Sequence, residues 1–297
     1  VFRGTPRRSM ADSVAETSSD QAVCAAPTLE LFIYYLLGRP RGALLLGDDF
    51  LGHWQEEEDA FLFFSAPAPR SVEALVKSQP WLILVDHYQM PYHQWQGGHL
   101  APFTVGGITI RPPWCATPTP RAAGLEIVLD PGLVFGNGHH TTTYDCLLAL
   151  QLLWTHYRPG QVLDLGCGSG VLALAAAALG ARRVLALDLN GLAVRTSLTN
   201  VMRNGFGDRV LTVQGRAEAF VERPADLVMA NIHFAVMRPL VAGDAFSAHR
   251  FFILSGLLRS EARRIETVLS RKGAQIVQSW SQDGIWTTYL GQNQQGR

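Results

Sequence analysis

From Glu126 onward the apolar positions form short continuous runs alternating with longer stretches of helical pattern. The runs cover 161–165, 183–188, 209–214, 226–232 and 251–254. Short unbroken apolar runs between turn residues predict strands buried on both faces, as in a parallel sheet covered by helices. Helices are predicted at 171–179 and over a segment that the stretch Asp130 to Thr143 opens and that runs to about Trp154. Asn190 is placed to cap the helix after the second strand, and Asn204-Gly205 to end it. The tail holds two further runs, 274–280 and 285–290, separated by Ser281-Gln282-Asp283-Gly284, which predicts a hairpin. The fold class is therefore α/β, mostly parallel with an antiparallel C-terminal strand. Open sheets of this kind hold ligands at the carboxyl ends of the strands, where Gly166, Asp188 and Asn231 fall.

Ahead of this array the pattern is mixed. The stretch 29–37 is apolar and contains Tyr34 and Tyr35, and 42–46 is a short apolar run. Strands are predicted at 60–64 and 81–85, with a helix at 70–77. Such alternation suggests a small α+β, ferredoxin-like layer. Glu56-Glu57-Glu58-Asp59 reads as a solvated loop. Residues 93–125 are rich in Pro and Gly and read as a connector with one strand at 108–111. Residues 1–27 hold Arg3, Arg7 and Arg8 and few large apolar side chains. They read as a disordered extension, with a transit peptide or a start at Met10 as alternatives. The expected domains are thus 1–27, an extension; 28–92, a small domain; 93–125, a linker; and 126–297, the α/β domain.

Lys plus Arg and Asp plus Glu each number 25 among 297 residues, giving zero formal charge. That balance argues against DNA or RNA binding driven by net charge, while leaving a local basic patch open. The four cysteines, Cys24, Cys115, Cys146 and Cys167, show no metal-ligand spacing. Reduced thiols in a cytoplasmic protein are expected, and no metal. No apolar run approaches the length that crosses a bilayer.

The chemistry concentrates in Val162-Leu163-Asp164-Leu165-Gly166-Cys167-Gly168-Ser169-Gly170. A predicted strand enters a glycine-rich turn and a predicted helix leaves it, so backbone amides can approach a ligand closely. The next strand ends on Asp188, eighteen residues after Gly170, where a carboxylate accepts from ribose hydroxyls. A dinucleotide fingerprint would need Gly-x-Gly-x-x-Gly, but Val171 holds its last position and the spacing here is Gly-x-Gly-x-Gly. Asp164, just before the turn, is placed to accept hydrogen bonds from an amine. The pattern resembles motif I of the S-adenosylmethionine (SAM) methyltransferases. This implies a Rossmann-like sheet and SAM as cofactor, with Asp164, Gly166, Gly168, Gly170 and Asp188 as contacts.

Two more segments narrow the reading. The stretch from Asp130 to Thr143, DPGLVFGNGHHTTT, opens a helix, with Thr142 and Asp145 at capping-box spacing. Met229-Ala230-Asn231-Ile232 ends the fourth strand, where Asn231 can orient an amine. With the glycine-rich turn and the acid after it, these blocks resemble the PrmA family, the methyltransferases of protein 11 of the large ribosomal subunit. Trp95, Pro102-Phe103-Thr104-Val105-Gly106 and Pro113-Trp114 resemble that family's connector. The resemblance covers about 93–297, is weaker over 28–92 and does not reach 1–27. It implies SAM contacts at Thr143, Gly166, Asp188 and Asn231, and substrate recognition by 28–92. Asn137 and His139 replace two threonines of the family pattern, Thr141 replaces a proline, and His233 stands where an aliphatic residue is usual.

The resemblance implies SAM-dependent N-methylation of lysine or amino groups of that ribosomal protein. Asn231 and His140 are the candidate catalytic residues, and His139 and His233 are further imidazoles able to take a proton. The alternatives are another SAM methyltransferase, acting on an electron-transfer flavoprotein lysine or a small molecule, and a SAM-binding protein without catalysis. A monomer acting on a protein substrate, without DNA or membrane, is the expected state.

Overall fold

The computed structural model describes residues 29–56, 58–115, 124–281 and 284–294. The expectations for 1–27 lie outside these residues. Strands β1 (Glu30–Leu37), β2 (Phe50–Glu56) and β3 (Asp59–Phe64), helix α1 (Pro69–Ser78) and strand β4 (Ile83–Pro91) build a four-stranded antiparallel sheet in the order β2-β3-β1-β4. Alternation along β1 gives the sheet two apolar faces. Tyr34 and Leu36 pack with Val72 and Leu75 of α1. Leu31 and Ile33 face the rest of the molecule.

The chain order is that of a β-α-β-β-α-β unit lacking its first helix. Residues 38–49 carry Gly38, Pro40, Gly42 and Gly47, which oppose helix formation there. Strand β2 was not foreseen, because Gly52, His53 and Gln55 dilute its apolar pattern. The strand expected at 81–85 runs instead over Ile83–Pro91. It lies at the sheet edge, exposed along most of its length, so pairing with β1 defines it and no apolar alternation is needed.

The connector is more ordered than expected. Helix α2 (Tyr92–Trp95) leads into β5 (Phe103–Val105), β6 (Ile108–Arg111) and β7 (Leu125–Val128), a three-stranded sheet where a single strand was expected. Strands β5 and β7 have three and four residues, too few to show a period. Cys146 and Cys167 are free and buried, but Cys115 is disulfide-bonded, against the expectation of four reduced thiols. Scattered spacing carries no information on a pairing made by tertiary proximity.

The α/β array comprises α3 (Thr141–His156), β8 (Gln161–Leu165), α4 (Val171–Leu179), β9 (Arg183–Asp188), α5 (Gly191–Arg203), β10 (Val210–Gln214), β11 (Leu227–Asn231), α6 (Phe234–Ala242), β12 (Phe251–Leu258), α7 (Arg259–Arg271), β13 (Gln275–Trp280) and β14 (Trp286–Gln292). The seven strands are ordered β10-β9-β8-β11-β12-β14-β13. The first five are parallel, and β14 and β13 are antiparallel to their neighbours. Helices α3 and α4 cover one face and α6 and α7 the other. Among the described residues no helix is long and apolar enough to cross a membrane.

One helix joins all three sheets. Leu192 and Ala193 of α5 pack against Leu31, Ile33 and Phe63 of the N-terminal sheet. One turn apart on α5, Asn200 and Asn204 bond backbone like short strands. Asn204 Oδ1 accepts from Val128 N at 2.9 Å and its Nδ2 donates to Val128 O at 2.7 Å. Asn200 Oδ1 accepts from Asp130 N at 3.0 Å, and its Nδ2 donates to Asp130 O at 2.7 Å and Ser169 O at 3.0 Å. Asn200 is fully buried. Asn200→Leu keeps the volume but strands one amide and two carbonyls. It is expected to lower unfolding stability in urea by about 3 kcal/mol, each buried unpaired group costing roughly 1–3 kcal/mol. A loss below about 1 kcal/mol would mean that the segment after β7 is held by other contacts.

Candidate functional site

The carboxyl ends of β8, β9 and β11 converge on the turn Gly166–Gly170. Gly166 N and Cys167 N donate to Leu187 O at 2.8 and 2.9 Å, which draws the turn onto the end of β9. Asp188, ending β9, accepts from Gly168 N at 3.0 Å and from Asn190 N at 2.9 Å. Gly168 has φ 54° and Gly170 has φ 85°. A Cβ at Gly168 would strike Phe135 O, and one at Gly170 would strike Ser197 Oγ. Backbone conformation and close approach both demand glycine at these two positions.

Across the turn lies a strap, residues 130–140. Ser169 N donates to Phe135 O at 3.0 Å and Ser169 Oγ to Gly136 O at 2.6 Å. On the strap's other side Gln96 Nε2 donates to Gly132 O at 2.5 Å, and Asn137 Nδ2 donates to Gln96 O at 3.3 Å. The strap is thereby sandwiched between the segment after α2 and the glycine-rich turn.

Two carboxylates sit at this crossing. Asp164 is 1% exposed, and its Oδ2 has no hydrogen-bond partner. Burial, with Asp188 adding repulsion, pushes its pKa up to about 7. Burial also raises Asp188 above the usual carboxylate range, against the backbone amides that lower it. The Cys167 thiol is pushed up by burial and by both acids, so it is an inert core thiol. A buried acceptor without a donor, next to a second acid, is stabilised by a cationic ligand.

The third wall is the start of α3. His140 caps it, its Nδ1 accepting from Thr142 N at 3.3 Å and lying 2.8 Å from Thr142 Oγ1. This corrects the expected Thr142–Asp145 capping box. Thr142 stands inside the helix, and its hydroxyl accepts from Asn231 Nδ2 at 3.2 Å. Thr143 Oγ1 is 3.5 Å from the same nitrogen. With Nδ2 engaged on α3, Asn231 presents Oδ1 on its other side, next to Gly256. Ser255, opposite Asn231 in the sheet, donates to Thr142 O at 3.4 Å.

The structure therefore brings Thr143, Asp164, Gly166, Gly168, Gly170, Asp188 and Asn231 around one crossing. His140 stands at its rim between Phe135 and Trp286, ring centroids 5.3 and 5.5 Å away. His139 is tilted onto the Phe103 ring at 4.2 Å, and desolvation lowers its pKa. His233 is exposed ahead of α6. Sequence reasoning missed Thr142 as the holder of Asn231, and Ser169 and Asn200 as the holders of the strap. It also missed Trp286, whose contact with His140 arises only when β14 enters the sheet. The repeated threonines after His140 were the one visible signal for Thr142.

Because its folded pKa is raised from 3.8 to about 7, Asp164 favours the fold most when protonated. Its contribution is complete below about pH 4 and is lost as pH rises through about 7. The stability difference between Asp164→Asn and wild type should accordingly grow in the variant's favour from about pH 4 to 8, measured by chemical unfolding without ligand. Parallel stability curves over that range would show that Asp164 is not held in a costly ionised state.

Comparison with known proteins supplies the family. The profile described as Ribosomal protein L11 methyltransferase (PrmA) matches residues 91–294. The ribosomal protein L11 methyltransferase of Pelotomaculum thermopropionicum is 42% identical over 166 residues, 54% of this chain and 52% of that protein. Its counterpart in Aeromonas hydrophila is 40% identical over 175 residues, 57% of this chain and 58% of that protein. The matches thus span little more than half the length of these relatives. The crystal structure of ribosomal protein L11 methylase from Lactobacillus delbrueckii subsp. bulgaricus superposes with TM-score 0.59 at 28% identity, over 66% of this chain and 100% of that one. With its strap, glycine-rich turn and Asn231 arranged as described, the chain belongs to the ribosomal protein L11 methyltransferase (PrmA) family.

Proposed function

We propose that the protein is a SAM-dependent methyltransferase that N-methylates amino groups of a ribosomal protein of the L11 type in the cytoplasm. The observation that carries this reading is the buried, unpartnered Asp164 Oδ2 beside Asp188. SAM bears an ammonium and a sulfonium on a nucleoside, and the residues present fit it. Asp164 would answer the cationic end, Asp188 the ribose hydroxyls, and the glycines of the turn admit close contact. When bound, SAM supplies a methyl group on a positive sulfur, already activated for transfer to a nucleophile.

The chain's own part is placement. A lysine must arrive neutral, which costs about 4–5 kcal/mol at neutral pH from a free pKa near 10.4. Asn231 Oδ1 accepts a hydrogen bond from the neutral amine and directs its lone pair inward. An amide does this without the charge that would favour the unreactive ammonium. Thr142 and Thr143 fix the amide by engaging Nδ2. Phe135 and Trp286 flank the rim on either side of His140. Residues 28–92 lie almost wholly before the family match, which begins at 91, and in this reading they present the protein substrate.

The test is transfer of labelled methyl from SAM to a purified L11-type ribosomal protein. Asp188→Ala should weaken SAM binding by roughly 1.5–3 kcal/mol, the worth of hydrogen bonds to a charged acceptor. Unchanged calorimetric affinity in a folded variant rules out that contact, and tight NADH binding by the wild type rules out the SAM reading. Asn231→Ala should slow single-turnover transfer at saturating SAM on the order of ten- to a hundredfold. Asn231→Asp should not restore it. A near wild-type rate in the Ala variant would leave Asn231 a turn residue and nothing more.

A further inference from the structure

The five parallel strands all begin at the edge of the sheet opposite the site, and each is entered past an arginine. Arg209 directly precedes β10, Arg182 and Arg183 lie at the start of β9, and Arg250 directly precedes β12. Arg158 lies three residues before β8, and Arg223 four before β11. Backbone hydrogen bonds hold these entries level. Val184 N donates to Arg209 O at 2.8 Å, and Arg182 N and Arg183 N both donate to Gly160 O at 3.0 Å. Asp226 N donates to Gln161 O at 2.8 Å, and Phe251 N to Asp226 O at 2.9 Å. Neighbouring strands lie about 4.8 Å apart, so the row spans roughly 19 Å. The other end of β8 passes into the glycine-rich turn, about 17 Å away along its five residues.

The row is short of acids. All six arginines are exposed. Arg209 has Asp208 at 3.8 Å. Among the described residues the other five guanidiniums have no carboxylate within ion-pair distance. The row's other acids are Glu222 and Asp226. Asp226 is engaged by the backbone, its Oδ2 accepting from Gly160 N at 2.7 Å and Gln161 N at 2.9 Å. The chain beyond Asn293, whose N donates to Arg250 O, has Arg297 and no acidic side chain. On a chain of zero formal charge, this excess belongs to one edge of the sheet. Two of the guanidiniums are also held in place. That of Arg250 stands 5.1 Å from the Tyr157 ring centre and 4.9 Å from that of Phe251, and that of Arg209 stands 5.7 Å from that of Phe206. A guanidinium held over a ring keeps N–H groups for a ligand and loses little freedom on binding one.

We infer that this arginine row is an RNA-docking surface, which holds the phosphate backbone of a strand without reading its bases. Guanidinium forks match phosphate oxygens in paired hydrogen bonds. A polymer with one negative charge on every unit answers a row of cations in any register. A folded acidic protein would have to match its carboxylates to the row one by one. Row and site stand at opposite edges of the sheet, so RNA held at one leaves the other open to a protein substrate. The surface itself stands on charge and geometry. The choice of RNA over DNA rests on the methyltransferase reading, whose substrate belongs to an RNA-containing particle.

The experiment uses the full chain and a fluorescent single-stranded RNA of about 12 nucleotides and mixed sequence, read by anisotropy across a salt series. Binding should fall in the range of about 1–100 µM at physiological salt, whatever the sequence. The slope of log affinity against log salt should be about −2 to −3, for three or four phosphates at about 0.7 each. Arg158→Glu with Arg183→Glu should weaken binding about tenfold or more and make the slope shallower by about 1.4. Both residues are exposed, so the melting temperature should not change. Arg259→Glu with Arg263→Glu, on exposed positions of α7, alters net charge equally and should leave RNA binding as it was. Absence of salt-dependent RNA binding, or equal losses in the two double variants, overturns the surface. A polyglutamate peptide that binds with Arg158 and Arg183 dependence, where RNA does not, overturns it in favour of an acidic protein. Ultraviolet cross-linking in the host should give adducts that ribonuclease removes and the Arg158, Arg183 variant lacks. Adducts removed only by deoxyribonuclease overturn the choice of RNA. Variant-sensitive RNA binding without methyl transfer to the ribosomal protein overturns the methyltransferase reading and keeps the surface.

Discussion

The placement of the candidate site depends on Asn200. This one buried amide holds the strap and the glycine-rich turn against each other, through Asp130 on one side and Ser169 O on the other. The glycine-rich turn cannot hold its position alone, because glycine contributes flexibility and no side-chain contacts. Its geometry is imposed from three sides: Leu187 O from β9, Asp188 from below and the strap from above. The strap in turn has no regular secondary structure to fix it. It borrows rigidity from α5, which itself packs on the N-terminal sheet through Leu192 and Ala193. A chain of contacts therefore runs from Leu31 and Ile33 in the small sheet to the amides around Asp188.

The charge balance of the site follows from the same packing. Strand β8 lies inside the sheet between β9 and β11, and Asp164 is almost fully buried. Its neighbours in register, Ala186 and Met229, offer no donor side chain. An acid in that position is expensive unless something cationic answers it. No described Lys or Arg makes an ion pair with it, so the raised pKa, which keeps the acid neutral below about 7, relieves the charge instead. The apolar core thus makes an ionised Asp164 costly.

The parallel sheet was legible in the sequence because its strands are buried on both faces. The bounds of β8 and β9 and of α4 follow directly from their apolar runs. The glycine-rich turn and Asp188 were legible too, since each needs a residue type that few alternatives can replace. Strand β2 and the short strands β5 and β7 were not. Their order comes from partners distant in sequence, and their own patterns are weak or brief. The capping of α3 was misread for a related reason. Threonine is a common cap, but His140 lies one position before the helix and its ring reaches Thr142 N. Thr142 then becomes available to Asn231, a contact spanning 89 positions that no local pattern could announce.

The departures from the family pattern become intelligible on this basis. Proline at position 141 would stiffen the end of the strap, and this chain has Thr141 instead. Asn137, where the family has threonine, supplies a substitute constraint. Its Oδ1 accepts from His139 N at 3.0 Å, closing a local turn, while its Nδ2 reaches back to Gln96 O. His139, the other replaced threonine, rests on Phe103 of β5 and ties the strap to the small three-stranded sheet. Rigidity that a proline would supply through the backbone is here distributed over side-chain contacts to α2 and β5. Those contacts act at the two residues flanking Gly138, which has φ 91°. The strap can therefore keep a left-handed glycine next to the site without gaining freedom to leave it.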